Sequence, residues 1–369
     1  MDASHAEDRL IYRVVSDDNV EEVRKHMLQR GNLSKAPGVD GKSQSELTSF
    51  LKNDWALIRQ EIIDGKYRPL PVRQSKIPKP DGGVRCLGVP TVQDRFIMTL
   101  LLNVLEPIFD KDFSQSSYGY RKGVPQHTAV KAMLRNVKEG RRWTVTMDLA
   151  SFFDRIDHDL LMARVARKVS DRKVLKLLRK YLQRGFLLNG VAEKRNIGAI
   201  QGGPVSPLLA NILLDDLDKE LERRGHRFAR FADDFVIQLT SRKAGERVQK
   251  SVTAFLEKKL KLKVNEKKSG VARPWERKFL GYIVSDDDKN PGLLVSPSSY
   301  RRFDNRVKEI IEESQEPHVK LRDFITGWYG YYRLAEKTGL FSGIDTTTKE
   351  SLCRFLGNDW ERCFTRHQV

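Results

Sequence analysis

The sequence predicts an α+β fold, a mixed domain built on an antiparallel sheet and followed by a smaller helical domain. Three observations predict it. Two apolar runs, Phe228-Ala229-Arg230-Phe231 and Phe235-Val236-Ile237, flank a short polar break and read as strand, tight turn, strand. Elsewhere most of the chain repeats apolar residues at helical spacing. After the polar loop Ser285 to Gly292 only helical spacing remains. At 369 residues the chain is long enough for two or three domains with cores of their own. It carries no internal repeat and no low-complexity tract.

The elements follow in order. Residues 1 to about 70 read as helical, with Asp18 to Gln29 and Ser45 to Ile63 separated by a break from Gly31 to Gly41. Lys76 to Arg85 is a hairpin signal, because Pro80-Asp81-Gly82-Gly83 supplies turn chemistry at its tip. A long apolar helix runs from about Val92 to Phe109, with Asp94-Arg95 in its first turn. Trp143-Thr144-Val145-Thr146-Met147 reads as a strand ending at Asp148. Helix is expected from about Asp157 to Lys168 and on to about Gln183, and again over Ser206 to Arg224. After the Asp233-Asp234 hairpin, a helix over Gly245 to Leu262 places Val248, Val252, Phe255 and Leu256 on one face. Lys278 to Val284 reads as a strand of a further hairpin. Ser299 to Ser314 carries Phe303, Val307, Ile310 and Ile311 on one face, and His318 to Arg333 carries Leu321, Phe324, Ile325 and Trp328. A last helical segment spans about Thr346 to Phe364.

Composition narrows the class. Hydrophobic residues are 39% and charged residues 31%, which makes the chain globular rather than disordered. The formal charge of +18 points to a polyanionic partner, most simply nucleic acid. No apolar stretch is long enough to span a bilayer, so no membrane partner is expected. The polar, acidic start Met1-Asp2-Ala3-Ser4-His5-Ala6-Glu7-Asp8 is no secretory signal. Cys86, Cys353 and Cys363 lack C-x-x-C spacing, which argues against disulfides and a zinc knuckle and fits a reducing cytoplasm.

The adjacent carboxylates Asp233 and Asp234 repel each other unless a cation neutralises them. A divalent metal is that cation, and Asp148 supplies a third carboxylate from another strand. Three acidic side chains on adjoining strands are what two-metal phosphoryl transfer needs, with the ions about 3.5–4 Å apart. Mg²⁺ suits this setting, since it takes a few carboxylates and completes its shell with phosphates and water. Asp148 and Asp233 are expected to bridge both ions, and Asp234 to be a weaker or outer ligand. Asp154, Asp157 and Asp159 read instead as helix N-terminal charge.

The motifs resemble one family. Phe231-Ala232-Asp233-Asp234 is similar to the Tyr-X-Asp-Asp signature of reverse transcriptases. Lys76 to Pro90 resembles the fingers motif of group II intron reverse transcriptases, and Asp148-Leu149-Ala150-Ser151-Phe152-Phe153-Asp154 their first palm motif. Gln201-Gly202-Gly203-Pro204-Val205-Ser206-Pro207-Leu208-Leu209-Ala210-Asn211 is close to their fourth block. Lys35 to Gly41 is similar to their N-terminal extension, and Gly327-Trp328-Tyr329-Gly330-Tyr331-Tyr332 to the aromatic helix of their thumb, or maturase, domain. The six motifs stand in the family's order from about residue 30 to about 365. The resemblance implies a right-hand polymerase: an N-terminal extension and start of the fingers over 1–70, a fingers and palm domain with an antiparallel sheet over 71–290, and a helical thumb over 291–369.

It also implies roles. Asp148, its neighbour Leu149, Asp233 and Asp234 are the metal positions, for two Mg²⁺ ions with Mn²⁺ as a substitute. Asp148, Asp233, Asp234 and Lys268 form the catalytic set; Lys268 donates a proton to pyrophosphate, with Lys267 beside it as the alternative. Phe153 lies under the incoming sugar, where its ring clashes with a 2′-hydroxyl and selects deoxynucleotides; Phe152 is the better core residue. Lys79 and Arg85 grip the triphosphate. Gln201 contacts the nucleotide near its sugar, beside the close-approach loop at Gly202. Gly281 and Tyr282 belong to the primer grip, and Gly38 and Asp40 to a lid near the template. Trp328 is core. Arg301, Arg302 and Arg306 read either as a solvated face or as a phosphate track.

The implied partners are an RNA template, a DNA or RNA primer, deoxynucleotides and a structured cognate RNA, with RNA–DNA duplex held by backbone and shape. Two departures are Ile200, where many relatives have proline, and Phe231, where tyrosine is usual. No His-Asn-His-type nuclease and no long basic tail follow the thumb-like region, so autonomous intron mobility is not expected. Three other readings compete: an RNA-binding splicing factor with a secondary or idle polymerase site, an RNA-dependent RNA polymerase or nucleotide cyclase, and a host-domesticated reverse transcriptase in defence or repair. The intact carboxylates with Phe153, Lys79 and Arg85 disfavour the first; the Phe153 gate and the full fingers motif disfavour the second.

Overall fold

The computed structural model describes residues 10–29, 36–78, 83–188, 190–335, 340–358 and 360–361. Lys79 and the Pro-Asp-Gly part of the hairpin tip, and the end of the last expected helix beyond residue 361, lie outside them. The chain divides into two compact units, each of three segments. The first is 1–122, 149–223 and 252–265; the second is 123–148, 224–251 and 266–369. Among the described residues no helix is long and apolar enough to cross a membrane.

The first unit opens with α1 (Leu10–Val14), α2 (Asp17–Gln29), a 3₁₀ turn at Gln44–Glu46, α3 (Leu47–Asn53) and α4 (Trp55–Ile63). Strands β1 (Val72–Pro78) and β2 (Val84–Val89) form the expected hairpin, and α5 (Val92–Asp110) the expected long helix. Helices α7 (His158–Val165), α8 (Arg172–Gln183) and α9 (Ser206–Arg223) and the short strands β4 (Phe186–Leu188) and β5 (Val191–Ala192) complete it. Its sheet runs β2-β1-β4-β5 and is mixed, because β1 pairs antiparallel with β2 and parallel with β4. The expected helix over Ser45 to Ile63 is broken at Asp54, which lets Phe50 and Trp55 both set their edges on Phe96 of α5, at 6.3 and 5.5 Å between centroids. Thr91 caps α5 by accepting from the Asp94 N–H. Asp94 is fully buried and accepts hydrogen bonds from the Tyr67, Tyr181 and Thr91 hydroxyls and the Leu70 N–H.

The second unit contains α6 (Gln126–Lys138), β3 (Trp143–Met147), β6 (Arg227–Phe231), β7 (Asp234–Leu239) and β8 (Gly270–Ala272). Helix α10 (Arg242–Lys259) begins in this unit. The sheet order is β6-β7-β3-β8, antiparallel at every pairing. Helix α6, which the sequence reading missed, packs on β6 and β7 and is joined to β7 by a buried Asn136–Gln238 hydrogen bond of 2.9 Å. Strands β9 (Tyr282–Val284) and β10 (Leu293–Val295) then pair across the expected polar loop. Helices α11 (Pro297–Glu313), α12 (Pro317–Tyr332) and α13 (Thr346–Leu356) follow.

Three expectations are corrected here. The strand expected over Lys278 to Val284 turns sharply at Leu280-Gly281, both at positive φ (50° and 81°), so that Phe279 and Tyr282 face each other across a two-residue turn. The chain after Gly292 is not all helical, because β10 comes first. The helix expected from Asp157 is shorter, with Asp157 as its N-cap accepting from the Leu160 N–H. The all-helical reading of residues beyond Val295 holds among the described residues, with Phe303, Val307, Ile310, Leu321, Ile325 and Trp328 buried and Phe324 half-buried.

Candidate active site

The carboxylates are placed by the sheet of the second unit. Register puts Met147 opposite Phe235. Just past this last pair come Asp148 and Asp234, which line one cleft closely enough for the Asp148 charge to raise the Asp234 carboxyl. Asp148 is fixed further by its own N–H, which donates to Ser269 Oγ at 3.0 Å. Asp233 stands in the two-residue turn between Phe231 and Asp234, and Ala232 ahead of it lies at φ 60°. A left-handed alanine is strained by roughly 1–2 kcal/mol, so something must hold it. Arg230 does: its guanidinium, 0% exposed, donates to the Ala232 carbonyl at 2.9 Å. Sequence reasoning missed Arg230, since arginine is almost never fully buried.

The electrostatics follow. Burial, then the Asp233 and Asp148 charges, push the Asp234 carboxyl up to about 7, against the opposing pull of Lys278 and of the Leu280 N–H that bonds it. A carboxyl raised in the fold binds its proton more tightly folded than unfolded. Its stabilising effect is therefore complete below about pH 4 and lost as pH rises through about 7. Thermal unfolding of the metal-free protein is expected to show stability falling across that window, and added divalent ion is expected to restore it most at the alkaline end. A pH-independent response to the ion would contradict this.

Leu280, at positive φ, belongs to a hydrogen-bonded chain. Its N–H reaches Asp234, its carbonyl accepts from the Tyr331 hydroxyl at 2.9 Å, and the Tyr331 carbonyl accepts from His127 Nε2 at 2.7 Å and from the Tyr282 hydroxyl. Helix α12 is thus tied to the second aspartate through one tight turn.

A cleft of about 1200 Å³ opens beside these groups, lined by Asp148, Asp234, Lys268, Gly281, Arg301 and Arg302 among others. Of the residues singled out on α11, Arg301 and Arg302 face it, whereas exposed Arg306 is paired with Glu309 at 2.8 Å. The Tyr282 side chain is fully buried between Tyr331 and Tyr332, where it supports the turn. Trp328 and Tyr332 are buried too.

The remaining expected site residues lie in the first unit. Leu149 buries its apolar side chain, leaving only its carbonyl as a donor to an ion. Phe153 is 7% exposed, edge-on to Phe152 at 5.2 Å, and its carbonyl accepts from the Ala199 N–H. The Gln201 carbonyl accepts from the Gly88 N–H at 2.7 Å, and a Cβ on Gly202 would stand 2.5 Å from the Gly88 carbonyl oxygen. Gly202 is therefore needed for backbone-to-backbone packing against β2. Arg85 is exposed on β2. A Cβ on Gly38 would stand 2.6 Å from Thr91, and exposed Asp40 lies near Arg95, so this segment is laid over the start of α5.

An antiparallel sheet that presents neighbouring aspartates beside a basic cleft is the frame of a polymerase, and comparison gives the family. Residues 77–284 match the family Reverse transcriptase (RNA-dependent DNA polymerase), and residues 300–369 match the group II intron, maturase-specific domain. The chain belongs to the reverse transcriptase family. Within it the chain is of the group II intron kind, an RNA-directed DNA polymerase followed by a maturase domain. It is 34% identical to the protein YkfC of Escherichia coli (strain K12) over 326 residues, covering 78% of this chain and 82% of that protein. It is 30% identical to the group II intron-encoded protein LtrA of Lactococcus lactis subsp. cremoris over 317 residues, covering 68% of this chain and 53% of LtrA. The chain thus spans about half of LtrA's length. Among solved structures, a partial Cas6-RT-Cas1–Cas2 complex matches at 24% identity and a TM-score of 0.42, over 67% of this chain and 42% of that one. That likeness is too low to argue from.

Reverse transcriptases bind an RNA template and work with divalent metal ions. The residues fit a cation: three carboxylates near one another, one of them held up near neutrality first by burial and then by the charges of the other two. Among the described residues no three acidic, histidine or cysteine side chains form a ready-made metal cage.

Proposed function

We propose that this protein extends a DNA or RNA primer with deoxynucleotides on an RNA template, with Mg²⁺ as the metal and Mn²⁺ as a substitute. The observation that carries the reading is the approach of Asp148 and Asp234 in one cleft at the sheet's end, with Asp233 in the adjoining turn. Asp148, the Leu149 carbonyl, Asp233 and Asp234 would hold the ions. When bound, the ions acidify the primer 3′-hydroxyl and neutralise the phosphates. Lys79 and Arg85 bind the triphosphate, and Lys268 holds a proton for the leaving pyrophosphate. Gln201 orients the nucleotide beside Gly202. Gly38 and Asp40 serve a lid at the template, and Gly281, Arg301, Arg302 and Arg306 the nucleic-acid backbone. The division of labour follows the N-terminal extension and start of the fingers (1–70), fingers and palm (71–290) and thumb (291–369), and the spans of the two family matches support it. Free thiols at Cys86 and Cys353 suit a reducing compartment such as the cytoplasm.

Phe153 is the residue that sets sugar choice. Phe153→Val is expected to raise ribonucleotide incorporation relative to deoxynucleotide by about tenfold or more, since a single steric contact is worth ~1–3 kcal/mol. Competing dNTP and rNTP extension on an RNA template measures it. Unchanged selectivity would remove Phe153 from the gate.

A further inference from the structure

Helix α8 reads Arg172-Lys173-Val174-Leu175-Lys176-Leu177-Leu178-Arg179-Lys180-Tyr181-Leu182-Gln183. Val174, Leu177, Leu178, Tyr181 and Leu182 are buried on one side. At 100° per residue the five cations, Arg172, Lys173, Lys176, Arg179 and Lys180, fall within one arc on the other side, and the helix holds no acidic residue. Like charges at i, i+4, such as Arg172 with Lys176 and Lys176 with Lys180, destabilise a helix. A face maintained only for solubility or helix stability would interleave glutamates.

The neighbouring turn extends the face. Lys180 Nζ donates to the carbonyls of Gly65 and Tyr67, and Lys176 lies over Gly65. This brings the exposed Lys66 and Arg68 alongside. The Lys180 ammonium is held below the usual lysine range, first by burial and then by Lys176 and Arg68. Three carboxylates belong to the same surface: Asp64 beside Lys66, Asp159 on Arg179, and Glu61 near Lys180. Seven cations outweigh them. Arg172, Lys173 and Lys176 make no ion pair among the described residues. Tyr12, 51% exposed, stands beside them with Lys173 Nζ 5.8 Å from its ring centroid. Cations flanked by an exposed tyrosine, whose hydroxyl can reach a 2′-hydroxyl, fit the backbone of paired RNA. An anionic membrane would be met by a run of exposed apolar residues, and the exposed large apolar side chains of α1, α4 and α8 are Tyr12 and Leu57 alone.

We propose that the outer face of α8, with Lys66, Arg68 and Tyr12, binds the phosphate backbone of double-stranded, structured RNA, at a site in the first unit that contains none of the three carboxylates. The proposal rests on the reverse transcriptase reading only for the choice of RNA as the polyanion.

The test is fluorescence anisotropy of the full chain with a labelled RNA hairpin of roughly 16 base pairs. Wild type is compared with a variant carrying Arg172→Gln, Lys173→Gln and Lys176→Gln together. Arg179 and Lys180 are left alone, since they hold Asp159 and the Gly65 and Tyr67 carbonyls. Affinity is expected to fall about tenfold or more at physiological salt, and the slope of log K against log salt to become shallower by about 2–3. Melting temperature and extension of a short pre-annealed template–primer are expected to stay at wild-type values. Equal hairpin affinity and slope would overturn the proposal. So would unchanged RNA affinity with lost binding to phosphatidylserine vesicles, which would assign the face to a membrane. Should the triple variant melt lower, Lys176→Glu alone, at an exposed position, is read by the same criteria. A wild type that binds the hairpin through this face yet extends no primer would sink the polymerase reading and leave this one standing.

Discussion

Asp234→Asn is expected to lose primer extension by a factor on the order of 10³ or more while melting at a higher temperature than wild type at pH 8. Both effects have one cause. The sheet's end holds Asp234 near Asp148 and next to Asp233, where burial and two like charges push its carboxyl up to about 7. Above that pH the fold carries a buried charge that Lys278 and the Leu280 N–H offset only in part. Asparagine removes the charge and keeps the shape, so the fold gains. The same change removes a group that would hold the ion, and loss of one electrostatic contact in a transition state commonly costs 10²–10³ or more in rate. Differential scanning calorimetry with and without Mg²⁺, beside single-nucleotide extension, separates the two effects. A variant that is both less stable and active would place the negative charge elsewhere.

Gly281→Ala is expected to be the most damaging single change outside the carboxylates. The residue lies at φ 81°, a conformation that costs alanine roughly 1–2 kcal/mol. Its Cβ would overlap the Tyr332 hydroxyl and stand 3.1 Å from Ser299 Oγ. Ser299 Oγ also donates to the Gly281 carbonyl, and the Ser296 N–H bonds the same oxygen, so the clash falls on the start of α11 as well as on α12. The turn cannot shift without moving Leu280, whose N–H bonds Asp234. Extension is expected to fall about 10- to 100-fold, with a melting temperature lower than wild type by several degrees. Tyr331→Phe, which removes only the hydrogen bond to the Leu280 carbonyl, is expected to lower extension less and to leave stability within about 1–1.5 kcal/mol. If Gly281→Ala is silent, the turn does not position the aspartate.

Much of this was legible in the sequence, for identifiable reasons. The Asp233-Asp234 hairpin was readable because apolar strand residues frame it on both sides, and the Asp148 strand because five residues of strand chemistry end at a carboxylate. The β1–β2 hairpin and α5 announced themselves by turn chemistry and by a long apolar period. What escaped depends on tertiary placement. Arg230 and Asp94 are charged residues at positions that sequence patterns assign to solvent, and only the packed structure shows them buried and hydrogen-bonded. Tyr282 read as a nucleic-acid contact because its motif resembles the primer grip; its ring points inward because the turn at Leu280-Gly281 reverses the chain just before it. That turn had a signal in Gly281, which an apolar run on either side concealed. Helix α6 was missed although Val130, Met133 and Val137 keep helical spacing, because the other half of its buried face, Ala129, Ala132 and Asn136, is small or polar. The strands β4, β5 and β8 are two or three residues long, too short for any period to show.

The measurement that tests the central claim most directly is extension of a DNA primer on an RNA template with Mg²⁺ and deoxynucleotides, wild type beside Asp233→Asn, with RNA affinity measured on both. Extension by the wild type alone, with equal RNA affinity, is the result expected of a reverse transcriptase whose reaction centre is the Asp148, Asp233 and Asp234 cluster. Extension by both, or by neither while RNA is still bound, would contradict it.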